Sequence, residues 1–95
     1  MNVTATELII LNLLLDGDSY GLELVKKSEG KLKRGGIYVL LQRLEEKGFI
    51  SSSKDPRPDS EGPSYRRSYS ISNGGRMIAD AHRSLGENLN GLKLA

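Results

Sequence analysis

Apolar residues recur at helical spacing in the middle of the chain, between Arg34 and Ile50. Four of them lie at positions i, i+3, i+4 and i+7, namely Ile37, Leu40, Leu41 and Leu44. This spacing predicts an amphipathic helix whose apolar stripe faces a core. The outward side of that helix carries Tyr38, Gln42, Arg43 and Glu46. We expect the helix to end at Gly48, since glycine is a common stop signal after a periodic segment.

The N-terminal part of the chain predicts an earlier helix that is apolar on nearly every side. It begins at a cap formed by Thr4 or Thr6 and runs to about Leu15. Such a helix has to be covered on more than one face. A chain of 95 residues forms one small domain, which is too small to provide all of that cover. The pattern therefore predicts a partner chain.

A second short helix is predicted from about Tyr20 to Ser28, with Asp18 or Ser19 as its cap. Its inward residues are expected to be Leu22 and Val25, or Leu24. A basic turn then leads into the central amphipathic helix. Two short helices joined by a tight turn, the second entered through basic residues, form a helix-turn-helix arrangement.

The pattern changes from helix to strand after Gly48. Residues 49–53 predict a short strand, and residues 54–64 contain three prolines and cannot form regular structure. Residues 65–72 alternate in their side chains, with Arg67, Tyr69 and Ile71 on one face and Arg66, Ser68 and Ser70 on the other. This succession predicts a β-hairpin, and a hairpin directly after a recognition-type helix is a wing.

A last helix is predicted from a cap at Ser72 or Asn73 to roughly Leu89 or Leu92. Its apolar residues are spaced by three, four and seven positions, and we expect them to join the first helix in a dimer interface. The residues predicted for that interface are Leu8, Leu11, Leu15, Ile78, Ala81, Leu85, Leu89 and Leu92. The predicted fold class is mainly α with a small β-hairpin, a winged helix-turn-helix followed by a C-terminal dimerisation helix.

Composition and charge limit the classes of function that the sequence allows. The chain has no Cys, which excludes a disulfide framework and fits a reducing cytosol, so we expect a cytoplasmic protein. No segment approaches the roughly 18 apolar residues that span a bilayer, so no membrane partner is predicted. The net charge is only +2, but residues 26–34 hold five basic residues against one Glu, and residues 64–76 hold three arginines and no acid. Local basic patches are typical of an electrostatic footprint for nucleic acid.

The residues that enzymes and metal sites require are scarce. His82 is the only imidazole, and it lies on the predicted dimerisation helix without a Cys or a carboxylate cluster around it. The chain lacks the ligands for a metal site. Its Gly-Gly pairs do not follow a strand, as a dinucleotide-binding loop requires. We therefore predict a protein that is not an enzyme and that has no metal and no cofactor.

Three segments resemble the PadR family of bacterial transcriptional regulators. ILNLLLDGDSYGLELVKK is similar to the family's opening helix and to the Tyr-Gly dipeptide that begins its second helix. GGIYVLLQRLEEKGFI is similar to its recognition helix, and RRSYSISNGGR to its second wing strand and the start of its last helix. The resemblance spans about Leu8 to Arg76 and implies a winged-helix regulator of transcription. Gly36 departs from the pattern, since the family usually has Ser or Thr there.

Binding to duplex DNA needs cations at phosphates, a helix in the major groove and groups that reach base edges. Lys33 and Arg34 have the charge and the reach, and the glycines after them let the backbone approach closely. The amides at a helix N-terminus attract phosphate as well. The resemblance to the PadR family implies a further phosphate contact at the start of the second helix, at Tyr20 and Gly21. The predicted DNA contacts are Tyr20, Gly21, Lys33, Arg34, Gly35, Gly36, Tyr38, Gln42, Arg66 and Arg67.

Several of these residues have an alternative role within the fold. Tyr38 could pack against the second helix instead of contacting DNA, and Gly21 could simply permit close packing of helices. Only one of Arg66 and Arg67 is expected to point outward at a given register. The other could pair with a glutamate of the central helix.

The leading hypothesis is a sequence-specific DNA-binding regulator, a repressor that binds a pseudo-palindromic operator as a homodimer. Residues 1–72 would form the DNA-binding domain, and residues 73–95 the dimerisation helix and its tail. A small-molecule effector is left open, because the larger helical domain that many family members use for sensing ligands is not expected here. The alternative is a winged-helix protein-interaction module without direct DNA readout, favoured by Gly36 and the small net charge.

Overall fold

Four helices and three strands make up the fold in a computed structural model that describes residues 3–56 and 65–94, with side chains for residues 3–55 and 66–84. In chain order they are α1 (Ala5–Leu14), β1 (Ser19–Tyr20), α2 (Gly21–Lys27), α3 (Ile37–Glu46), β2 (Ile50–Pro56), β3 (Tyr65–Ile71) and α4 (Asn73–Leu94). The strands form one antiparallel sheet in the order β1-β3-β2. The predicted winged helix-turn-helix is confirmed, with one strand more than the sequence predicts.

The start of α1 is fixed by Thr4, one of the two caps predicted. The Glu7 amide donates to Thr4 Oγ1 at 3.2 Å and the Thr4 amide donates to Glu7 Oε1 at 2.9 Å, which is a reciprocal capping box. The Glu7 carboxylate is only 1% exposed and accepts hydrogen bonds from Lys47 Nζ at 2.9 Å and 3.0 Å. This ion pair ties the start of α1 to the residue that follows α3.

The pKa of Glu7 reflects this environment. Burial alone would raise the pKa of the carboxyl, but hydrogen bonds from Thr4 and from Lys47, together with the charge of Lys47, outweigh it. The pKa of Glu7 is therefore lowered below its ordinary value. The carboxylate remains charged although the protein encloses it.

The region of β1 and α2 differs from the prediction. Tyr20 occupies the cap position in place of Asp18 or Ser19, and its amide donates to Glu23 Oε1 at 2.8 Å. The inward side of α2 consists of Gly21, Leu24, Val25 and Ser28. Leu22 is 43% exposed, so the prediction that it faces the core is wrong. The inward stripe has helical spacing, but its glycine and serine do not stand out as apolar in the sequence.

The apolar stripe of α3 is confirmed. Ile37, Leu41 and Leu44 are fully buried, and Leu40 packs against the same core while remaining partly exposed. The helix stops before Gly48, whose φ of +81° belongs to the left-handed region that glycine adopts without strain. The opposite side of α3 is therefore free to face outward.

The sheet extends the predicted hairpin. Ile50 of β2 lies opposite Ile71 of β3, and the pairing continues to Pro56, three residues past the predicted end of the first strand. β1 pairs with the other edge of β3, with Ser19 opposite Tyr69. Ser19, Ile50 and Tyr69 are buried, so this face of the sheet covers the helices. The wing is thus anchored to the start of α2 by a strand that periodicity could not predict.

The start of α4 is packed tightly against the end of α3. The Ser72 hydroxyl donates to the Gly48 carbonyl oxygen at 2.7 Å, and Ser72 Oγ accepts from the Gly75 amide at 3.1 Å. Ser72 is therefore the cap of this helix. Gly75 is buried, and a Cβ atom at this position would overlap the carbonyl oxygen of Phe49.

The predicted dimer surface is only partly available in one protomer. Leu11 is fully buried in the protomer's own core, so its assignment to the interface is wrong. The core surrounds it because α1 is covered by α3, α4 and the sheet. Leu8, Leu15 and Ile78 are partly exposed and Ala81 is exposed. The side chains of Leu85, Leu89 and Leu92 lie outside those that the structure describes.

None of the helices in residues 3–56 and 65–94 is both long enough and apolar enough to cross a bilayer.

Candidate nucleic-acid interface

A cleft of about 690 Å³ separates α3 from the wing, with the start of α2 at one side. Its lining residues come from β1, α2, α3 and β3 and comprise Tyr20, Gly21, Leu22, Glu23, Tyr38, Gln42, Glu45, Arg66, Arg67 and Tyr69. Six of the ten predicted DNA contacts are among them, namely Tyr20, Gly21, Tyr38, Gln42, Arg66 and Arg67. The fold therefore brings together residues that are far apart in the chain.

Tyr38 and Gln42 project from the outward side of α3. Both are exposed, Tyr38 by 52%, and the Gln42 amide nitrogen donates to Glu46 Oε1 at 3.3 Å on the same helix. The Tyr38 ring lies directly on Gly21, where a Cβ atom would come 2.8 Å from Tyr38 Cε1. Both roles predicted for Tyr38 are therefore compatible, because the far end of its ring packs on α2 while about half of the residue remains accessible.

The structure bears on only one of the two roles predicted for Gly21: its close packing is observed, and its contact with DNA stays a prediction. Gly21 is buried beneath the Tyr38 ring, and it also lies among the residues that line the cleft. The close-packing role is the one that the structure supports, since any side chain at this position would displace the ring. Gly21 shapes the cleft by letting Tyr38 lie flat on α2.

The entrance of α3 lies outside the cleft but continues the same outward side. Lys33, Arg34 and Gly35 are exposed, and Gly36 is partly exposed at the cap position. A Cβ atom placed on Gly35 or Gly36 would have no neighbour within 4 Å in the part of the chain that the structure describes. Neither glycine has a positive φ. The fold itself therefore does not require glycine at either position.

The two wing arginines are both exposed, which corrects the expectation that only one would point outward. They lie on opposite faces of β3, yet each reaches the rim of the cleft. Arg67 Nη1 donates to Ser52 Oγ at 3.2 Å, and the Ser52 hydroxyl donates to Glu45 Oε2 at 2.9 Å. Arg67 is thus linked to a glutamate of α3 through a serine rather than by direct pairing.

Arg66 and Tyr20 form a second unit on the other face of the wing. The guanidinium carbon of Arg66 lies 4.1 Å from the centroid of the Tyr20 ring, within the range of a cation–π contact. The Tyr20 hydroxyl donates to Asp55 Oδ2 at 3.1 Å. This hydrogen bond is the main reason why the pKa of Tyr20 is raised. Tyr20 is therefore engaged with the protein at its ring and at its hydroxyl.

The floor and rim of the cleft include residues that the sequence did not suggest. Tyr69 is buried at the floor, and burial raises the pKa of its hydroxyl. Glu23 and Glu45 bring negative charge to the rim, and Leu22 adds an apolar surface. The alternation of β3 could have placed Tyr69, but the other three depend on how α2 and α3 meet the wing. Among the described residues, no group of three or more acids and histidines is placed to hold a metal ion.

Comparison with known proteins gives the family. The sequence profile of the transcriptional regulator PadR-like family matches residues 10–81. A PadR family transcription regulator from Clostridium difficile is 25% identical, with a TM-score of 0.79 over 94% of each chain. A transcriptional regulator from Clostridium thermocellum is 29% identical, with a TM-score of 0.68 over 90% of this chain and 86% of that one. ZitR of Lactococcus lactis shares the fold at 22% identity and a TM-score of 0.75, over 98% of this chain and 60% of ZitR.

The comparison with functionally curated proteins gave no match. The family and the regulators named above act in transcription and are not enzymes, which confirms the prediction that this chain is not an enzyme. The family profile covers well over half of the sequence, from α1 into α4. The resemblance seen in three sequence segments is therefore confirmed, and the chain belongs to the PadR-like family of transcriptional regulators.

Proposed function

We propose that this protein is a sequence-specific DNA-binding regulator that represses transcription as a homodimer on a pseudo-palindromic operator. In this proposal α3 enters the major groove and the wing follows the adjacent backbone. The proposed contacts are Lys33, Arg34, the backbone at Gly35 and Gly36, Tyr38, Gln42, Arg66 and Arg67. A dimer that covers two successive major grooves would block access to a promoter, which is the physical reason for preferring repression.

The observation that carries this proposal is the shared outward surface of α3 and the wing. Tyr38 and Gln42 on α3 open into the same cleft as the exposed arginines of β3. The cationic residues Lys33 and Arg34 stand at the entrance of α3, where helix amides attract phosphate as well. A polar helix face between two cationic edges suits a duplex, whose bases lie between two phosphate backbones.

The glycines at the entrance of α3 support the same proposal. None of the described residues occupies the space beside Gly35 and Gly36, and their backbone conformations do not demand glycine. Their small size is useful if another molecule approaches closely there. A DNA backbone packed against this turn supplies such a molecule.

The dimeric state is proposed on the exposed apolar residues of α4. Met77 is 72% exposed, and Ala81 lies one helical turn later on the same side and is exposed too. Ile78 of α4 and Leu8 of α1 are partly exposed. The substitution Ala81→Glu is expected to convert the dimer to a monomer without unfolding it, measured by sedimentation equilibrium. The change Arg83→Gln, at an exposed position of the same helix, lowers the net charge by the same single unit and tests whether charge alone is responsible.

A second candidate function is a protein-interaction module with the same fold. It is favoured by the exposed Leu22 and Val39 and by the glutamates Glu23 and Glu45 at the cleft, which repel phosphate. Selection of bound duplexes from a random pool separates the two. The regulator enriches a related set of sequences with two half-sites, whereas the interaction module enriches none.

A further inference from the structure

We propose that Tyr20 is a positioning residue, which holds the guanidinium of Arg66 over its ring at the base of the wing and so presents that cation to DNA. The inference rests on the proposed DNA-binding function and assigns a role within it. Tyr20 then acts through Arg66 instead of contacting DNA itself.

The placement of these residues follows from the sheet register. Tyr20 of β1 lies opposite Ser68 of β3, and Asp55 of β2 lies opposite Arg66 of β3. Side chains two residues apart on a strand share a face, so Ser68 and Arg66 lie on the same side of the sheet. Tyr20 is therefore the diagonal neighbour of Arg66, and its ring crosses β3 to reach Asp55 on the far strand.

Tyr20 is held at its backbone and at the end of its side chain. Its backbone amide donates to Glu23 Oε1 at 2.8 Å, and its hydroxyl donates to Asp55 Oδ2 at 3.1 Å. The first bond fixes the residue at the start of α2, and the second fixes the ring on the wing. A ring restrained in this way is a stable surface on which Arg66 rests, with its guanidinium carbon 4.1 Å from the ring centroid.

Stacking leaves the hydrogen-bonding edge of an arginine available. A guanidinium that rests on a ring by its flat face keeps its N–H donors in its own plane, where they point away from the ring. A free arginine loses considerable side-chain freedom when it binds phosphate, and prior stacking removes part of that loss. Arg67 differs, because Nη1 is already donated to Ser52. Arg66 is thus the wing cation that is restrained while keeping its donors.

A double-mutant cycle on DNA affinity tests the inference, with a duplex selected by the wild-type protein. The four proteins are wild type, Tyr20→Leu, Arg66→Ala and the double variant. Tyr20→Leu is expected to weaken binding about two- to fivefold in the wild-type background. It is expected to have no further effect beside Arg66→Ala, which also reduces the slope of affinity against salt by about one. Tyr20→Phe keeps the ring and is expected to retain part of the affinity.

Several outcomes would overturn the inference. Losses that multiply in the double variant would make Tyr20 a direct DNA contact, and tighter binding by Tyr20→Leu would mean that the ring holds Arg66 away from DNA. If the leucine variant unfolds, the side-chain proton shifts of Arg66 in the wild type decide, since stacking on Tyr20 moves them upfield. Shifts at ordinary positions would refute the stacking. A wild-type protein that binds no duplex would refute the proposed function as well.

Discussion

The ring of Tyr38 lies on Gly21, with Tyr38 Cε1 2.8 Å from the position that a Cβ atom would take. The substitution Gly21→Ala therefore has to move the ring. The atoms that clash are at the far end of a half-exposed side chain, and alanine favours helix over glycine. We expect the free energy of unfolding to change by less than about 1 kcal/mol, while affinity for the operator falls roughly three- to tenfold. Thermal unfolding and a DNA titration on the same protein measure both.

The control for this prediction is the same substitution beside Tyr38→Ala. Without the ring, Gly21→Ala has nothing to displace and should leave DNA affinity unchanged. An equal loss in both backgrounds would show that Gly21 matters for another reason, such as its own approach to phosphate.

Acid is expected to weaken the fold through Glu7. The pKa of this carboxyl is lowered in the folded state, against about 4.3 in an unfolded chain. Its contribution to stability is therefore present in full above about pH 4.3 and is lost as the pH falls through the lower, folded-state pKa. Denaturant unfolding from pH 7 to pH 2 should show a smaller acid loss for Glu7→Gln than for the wild type. Exposed Glu46→Gln is the matched control and should behave as the wild type.

Removing the cation tests the same pair from the other side. Lys47→Met leaves the buried Glu7 carboxylate without the ammonium that lies 2.9 Å away. We expect the free energy of unfolding at pH 7 to fall by about 1–3 kcal/mol, because an enclosed charge loses its partner. The double variant Glu7→Gln with Lys47→Met should recover part of that loss. If Lys47→Met is as stable as the wild type, the pair contributes little.

Two adjacent glycines at the start of α4 should respond oppositely to alanine. A Cβ atom on Gly75 would overlap the Phe49 carbonyl oxygen, whereas on Gly74 its nearest neighbour would be 3.7 Å away. Gly75→Ala is expected to lower the free energy of unfolding by about 2 kcal/mol or more, since backbone has to move. Gly74→Ala should be neutral or stabilising by up to about 1 kcal/mol. Equal effects in chemical denaturation would mean that α4 shifts easily against Phe49.

A substitution at Gly36 can distinguish an effect on DNA affinity from an effect on the stability of the fold. A Cβ atom there would meet none of the described residues, but Gly36 is the N-cap of α3, where glycine is preferred to alanine. Gly36→Ala should therefore change the free energy of unfolding by less than about 1 kcal/mol. If DNA packs against the turn, the same methyl group should weaken operator binding about fivefold or more. Unchanged affinity would exclude close approach at this glycine and leave Lys33, Arg34 and Gly35 as the proposed contacts of the entrance.

Local patterns in the sequence were sufficient for much of the fold. The stripe from Ile37 to Leu44 predicted α3, and the alternation after Tyr65 predicted β3. Thr4 was one of the two caps predicted for α1, because Thr is a preferred residue at a helix N-cap. These features depend on residues that lie close together in the sequence, so the sequence alone is enough to predict them.

What the sequence could not reveal depends on contacts between distant segments. β1 has two residues and exists only because it pairs with β3, so no periodicity marks it. The Glu7–Lys47 pair joins residues 40 positions apart. Leu11 was assigned to the dimer interface because the sequence of a helix that is apolar on nearly every side does not show which of its sides the protomer itself covers. In the site, the hydrogen bond from Tyr20 to Asp55 could not be predicted, because it depends on the pairing of all three strands.

The central claim is that this regulator binds duplex DNA through the entrance of α3 and the wing. We would measure affinity for a selected duplex between low and physiological salt, for the wild type and for Lys33→Ala, Arg34→Ala and Arg67→Ala combined. The control removes three other exposed cations, Arg43, Arg76 and Arg83, and so has the same net charge. We predict that affinity falls steeply with salt, by a log–log slope of about −0.9 for each phosphate contact, and that only the first variant flattens it. Affinity independent of salt, or equal losses in both variants, would contradict the account.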